Sequence, residues 1–192
     1  MREYRHVSTL LARESSDLSD QERLELARRV TELAPRQPDS WWAVATHIVW
    51  MLRELDGEEL RSHPLFPELI AAWNTAIALD GTDAAAPYNK AAALSRADLV
   101  RDAYAAFMLA GQTEVAHPST DIDWPAHWHF ENAADSALAC GDNELALLAA
   151  QAAIDAGAED ADAASLLEHL RIEGSDRLAT NKRVERTAEA AD

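Results

Sequence analysis

One spacing constrains this chain more than any other. Sixteen residues on from Pro87, which opens one apolar segment, stands Ala103 in the next, and sixteen on from Phe130 stands Ala146. Four and seven residues further come Phe107 and Ala110 in one case, Ala150 and Ala153 in the other. Offsets of four and seven share one face of an α-helix, so each segment carries a stripe of alternating small and large apolar residues. A second interval also recurs, since Val30 to Trp41 and Ala76 to Pro87 are both 11 residues. Recurrence on this scale is the signature of a repeat array, in which a unit too small to bury its own apolar face buries it on its neighbours.

The rest of the sequence agrees with helices throughout. Alternating strand patterns are nearly absent, and six glycines and seven prolines fall mostly between the periodic segments. Helices are expected near 2–14, 19–34, 39–55, 67–80, 84–96, 98–112, 125–140, 142–156 and 160–172. Ser19 with Glu22 forms a capping box, and Asp20 places negative charge at the positive end of the helix dipole. Pro67 and Pro125 suit first-turn positions, while Gly81, Gly141 and Gly157 suit left-handed C-terminal caps. Short connections make antiparallel hairpins of these helices.

The comb has weak points. In the N-terminal segment Val7 leads to Arg23 rather than to a small residue, although Ala27 and Val30 follow at the right offsets. After Trp41 the comb returns at Leu69, Trp73 and Ala76 with about a dozen residues inserted. With that proviso the chain resembles the tetratricopeptide repeat (TPR) family. Trp41, Val44, Ala45 and Ile48 match the large–apolar–small–large order of its first helix, and Pro35 closes a repeat as the family's proline does. The stretches at 76–94 and 139–157 are similar, with Gly81 in place of that proline and Pro87 in place of the opening aromatic. The resemblance covers about residues 4–160. It implies an all-α fold of antiparallel hairpins stacked as a right-handed α-solenoid, about four repeats with 161–172 as a capping helix. Departures are Arg23, Lys90 and insertions near 53–66 and 112–124. Residues 1–173 are expected to form one repeat domain, and the polar 174–192 a disordered tail with no apolar stripe.

The family's first helices line a concave surface where partners bind. By that register the surface here includes Trp42, Thr46 and Trp50 from one repeat, Tyr88 and Ala92 from the next, and Trp128, Glu131 and Asp135 from the one after. Trp42, Thr46 and Trp50 lie at i, i+4 and i+8, on a helix face distinct from that of Trp41, Val44, Ala45 and Ile48. Asp+Glu number 34 against 17 Lys+Arg, and the net charge of −17 lies outside the charge-balanced 174–192. That balance repels nucleic acid and anionic membrane, and it favours a basic or amphipathic protein or peptide partner. The family's basic clamp for a terminal carboxylate is not expected, because the groove positions are Thr, Ala, Trp and acidic residues. A homodimer through the aromatic face stays open. The first 16 residues lack the apolar core of a secretory signal, no stretch is long enough to span a membrane, and a single cysteine, Cys140, excludes an internal disulfide framework. A cytoplasmic protein is the expectation.

No nucleophile elbow, phosphate loop or dinucleotide fingerprint is present, so the reading is non-enzymatic and without a cofactor. The alternative is a metal-dependent enzyme, or a subunit of one, built on the His- and Asp-rich segment 117–131, with Asp123, His127 and His129 as ligands. His127 and His129, two apart, would diverge by about 200° on a helix. Cys140, beside Gly141, is expected to be a small buried residue.

Overall fold

The computed structural model describes residues 18–119, 125–158 and 168. Eight helices and no strand occur among them: α1 (Asp20–Leu33), α2 (Pro38–Met51), α3 (Gly57–Ser62), α4 (Phe66–Leu79), α5 (Ala85–Arg96), α6 (Val100–Ala116), α7 (Ala126–Ala139) and α8 (Asn143–Asp155). Each long helix packs on the next in the chain, so the molecule is a TPR-like helical solenoid. The expected helix at 2–14 and the tail at 174–192 lie outside the described residues. Of the expected capping helix, Glu168 alone is described.

The small-and-large comb is the core. Ala45, Ala91, Ala103, Ala134, Ala146 and Ala150 are buried, and between them lie Ile48, Leu69, Trp73, Phe107 and Phe130. A methyl side chain lets two helix axes approach at the short end of the usual 8–10 Å, and the large residues fill the gaps between hairpins. Arg23 is half-exposed, and the buried line of α1 runs through Leu24, Ala27 and Val30 instead. Arg28 adds a bidentate bond across the array, its Nε and Nη2 donating to Glu68 at the start of α4 (2.8 and 2.6 Å).

The helix ends follow local chemistry. Ser19 and Glu22 close the capping box from both sides: the Glu22 N–H donates to Ser19 Oγ (3.3 Å) and the Ser19 N–H to Glu22 Oε2 (2.8 Å). Gly141 and Gly157 are left-handed, as expected, but Gly81 is not. After α5 the left-handed residue is Asp98, with the Leu99 N–H donating back to Leu94 O. Pro125 precedes α7 rather than entering its first turn. Cys140, expected to be buried, is exposed: it caps the C-terminal end of α7, beyond the buried stripe that ends at Ala137.

Both insertions have structure that periodicity could not foretell. The first forms α3, too short for a stripe, with Leu60 buried against the core. Arg96 pins it: its guanidinium donates to the carbonyls of Leu52, Arg53 and Leu55 and pairs with Asp56, satisfying acceptors that the end of α2 leaves over. The second insertion is helical at its start, because α6 runs on to Ala116 through Gly111. Gly111 lies inside that helix. A Cβ there would lie 2.6 Å from Phe130 Cε1, so the bare backbone is what admits the Phe130 ring between α6 and α7. Gly111→Ala is therefore expected to lower stability by about 1–3 kcal/mol through overpacking, despite alanine's better helix propensity. Gly81→Ala, with nothing within 4 Å of its Cβ, is expected to leave stability unchanged or raise it by up to about 1 kcal/mol. Urea unfolding of the two variants checks the pair.

Candidate functional site

A cleft of about 910 Å³ opens where α2, the α4–α5 loop, the end of α6 and the start of α7 meet. Trp42 comes from α2, Asp83 and Ala85 from the loop and the first turn of α5, and Asn89 from the next turn. Glu114, the segment 116–119 of the second insertion and His129 of α7 complete the lining.

Local bonds fix these side chains. Asp83 accepts the Ala85 N–H at 2.9 Å, which turns the chain into α5, and its other oxygen accepts Trp42 Nε1–H at 3.1 Å. Trp42 also meets the buried Trp73 edge to face, with ring centroids 4.6 Å apart. Next to the cleft, Asp80 accepts both the N–H and the hydroxyl of Thr82 (3.0 and 2.7 Å). Those bonds hold its carboxyl below the usual carboxylate range, with the nearby His117 acting the same way. Glu114 Oε1 accepts the Ser119 N–H at 2.6 Å and so folds the insertion back over the end of α6.

Beside the cleft runs an aromatic seam. The Tyr88 ring of α5 packs against Trp128 of α7 with centroids 5.1 Å apart, and more steeply tilted against Phe107 of α6 at 5.6 Å and the His129 ring at 5.5 Å. Burial raises the Tyr88 hydroxyl above its ordinary value. His129 is only 1% exposed. Burial pushes its imidazole below the usual range, with His127 assisting and the Glu114 carboxylate opposing.

Of the residues expected on the groove, Tyr88 and Trp128 come together and Trp42 reaches the neighbouring cleft. Thr46, Ala92 and Glu131 are half-buried, and Asp135 is exposed. Trp50, at 58% exposed, stands clear of the cleft further along α2. Of Asp83, Asn89, Glu114 and His117, sequence marked only His117, as the first residue of the His- and Asp-rich segment. Three of them sit in a loop or an insertion edge, where no periodicity marks a direction, and Asn89 carries no motif.

For the metal alternative, α7 begins at Ala126, so both histidines are on the helix and diverge: His129 points into the packing and His127 is half-exposed. No three His, Cys, Asp or Glu side chains converge as a metal site among the described residues, and Asp123 lies outside them. No helix among the described residues is long and apolar enough to cross a membrane.

No protein-family model matches the chain, and no curated protein does. Among solved structures it is similar to MamA, a TPR-like helical repeat protein, in the form titled "MamA RS-1 ArsTM double mutant". The TM-score is 0.56 at 13% identity, over 98% of this chain and 92% of that one. At that identity the likeness speaks to the fold alone.

The buried imidazole gives a pH dependence with a definite sign. In the unfolded chain His129 takes up a proton near the ordinary value of about 6.5, and in the folded chain only at lower pH. The unfolded state therefore binds more protons in that window, and stability falls as pH drops below about 6.5. Around the ring stand Tyr88 of α5, Glu114 of α6 and His127 of α7. His129→Phe is expected to flatten the slope of unfolding free energy against pH, leaving what the half-buried His47, shifted in the same direction by its burial, contributes. Urea titrations between pH 5 and 8 measure it.

Proposed function

We propose that this chain is a non-enzymatic scaffold that holds a protein or peptide partner in a concave, acidic and aromatic groove, in the manner of an adaptor, chaperone or immunity protein. The observation that carries the reading is the run of aromatic groups on successive first helices: Trp50 exposed on α2, and Tyr88 of α5 stacked on Trp128 of α7. Large aromatics on a rigid surface bury much area on binding with little loss of side-chain freedom, which is why they dominate binding energy at interfaces. Thr46, Glu131 and Asp135 complete the face, and Trp42 anchors its edge. The net charge of −17 favours a basic or amphipathic partner by steering its approach. TPR-like architecture is in keeping with this role, although architecture alone does not assign one.

Trp42 packs on Trp73, so replacing it would perturb the fold as well as the groove. Trp50 and Asp135 are exposed and test the surface cleanly. Tagged protein serves as bait in lysate of its source, and the captured partner is purified and titrated by calorimetry. Trp50→Ala with Asp135→Lys is expected to weaken binding at least about tenfold with an unaltered melting temperature. Equal affinity for wild type and variant would reject the groove.

A further inference from the structure

A second, smaller hollow of about 80 Å³ lies between α2, α3, α4 and α5. Its inner wall is Leu52, Leu60 and Leu69, each no more than 2% exposed, and its rim includes the half-buried Val49 and Ala92. Ala92 stands one turn from Tyr88 on α5, and Val49 one turn from Thr46 on α2, so the rim belongs to the groove face. Asn89 lines this hollow and the larger cleft alike, which places both along one side of α5. Its walls are held in place. Leu60 stands on α3, and Arg96 ties the approach to α3 onto the end of α2 through the Leu52, Arg53 and Leu55 carbonyls and Asp56. Close-packed proteins leave few such hollows, and one walled by leucines gives water few hydrogen-bond partners. It suits carbon. Apolar cavities of about 150 Å³ hold a benzene ring, so one of about 80 Å³ takes the branched end of an aliphatic side chain and is too small for an aromatic ring.

We propose that this hollow is the specificity pocket of the groove, and that it receives the valine-, isoleucine- or leucine-sized side chain of one residue of the bound peptide. This rests on the peptide-binding reading above and names a residue type that reading leaves open. It also gives the first insertion a task, since α3 supplies one wall of the pocket.

Xenon under pressure probes the hollow without any partner, read by methyl NMR of the full chain. Shifts are expected at Leu52, Leu60 and Leu69, and they should vanish in Ala92→Leu, whose larger side chain plugs the rim. Val49→Ala is a second variant that widens the rim instead, and the urea midpoint of each is checked against wild type. A phage-displayed library of random twelve-residue peptides is then panned against all three proteins. Peptides selected on wild type are expected to share a Val, Ile or Leu at one position. Replacing it with Ala should cost at least about tenfold in affinity on wild type and little on Ala92→Leu. On Val49→Ala the preference should move to larger side chains, Met or Phe. Xenon shifts absent from the three leucines would overturn the pocket whatever the peptides do. Peptides lost by Trp50→Ala yet showing no aliphatic position, or the same preference on both rim variants as on wild type, would overturn the pocket and leave the groove standing. Selection of no peptide at all would overturn the proposal and count against the groove as well.

Discussion

Close approach of helices at alanine is the interaction on which the rest depends. Ala91, Ala103, Ala134 and Ala146 are buried, and a methyl side chain at such a point lets neighbouring helices approach closely. Close packing there sets the spacing at which Trp73, Phe107 and Phe130 can fill the remaining space without voids. Gly111 carries the same logic one step further, with no side chain at all where the Phe130 ring enters. A larger residue at any of these points would push a pair of helices apart, and the aromatic contacts that rely on their separation would be lost with it.

The functional surface inherits that geometry. Tyr88 and Trp128 meet because α6 packs against both α5 and α7, and the cleft exists because the end of α6 and the insertion after it fold back toward the α4–α5 loop. The core fixes where the helices go, and the second insertion adds one wall of the cleft. Glu114 is where the two meet: it belongs to the last turn of a core helix, yet it organises a loop through the Ser119 N–H.

Much of this was legible in the sequence, for a physical reason. A helix stripe is a local, periodic signal, so all seven long helices among the described residues appear near their expected positions, and the comb residues Leu69, Trp73, Ala76, Phe107 and Ala150 are buried. What escaped was set by contacts between distant segments. Gly111 carried no sign of its use, which depends on a ring 19 positions away. Asp98, not Gly81, took the left-handed turn. Helix α3 is too short for a period, and the cleft draws on a loop and an insertion, where sequence gives composition but no direction. Trp42 and Trp50 share a helix face in sequence, yet Trp42 packs on Trp73 while Trp50 stays in solvent, a difference made wholly by what lies opposite each.

The most direct test of the account enlarges the contact on which it rests. Ala91 is fully buried on α5 at the centre of the array. If close helix approach at small residues builds the solenoid, Ala91→Leu must lower the unfolding free energy by about 1–3 kcal/mol or more in urea. Exposed Ala105→Leu on α6 should change it by no more than about 0.5 kcal/mol. Equal tolerance at both positions would mean that the helices are not held at alanine-limited distances, and the account would fail.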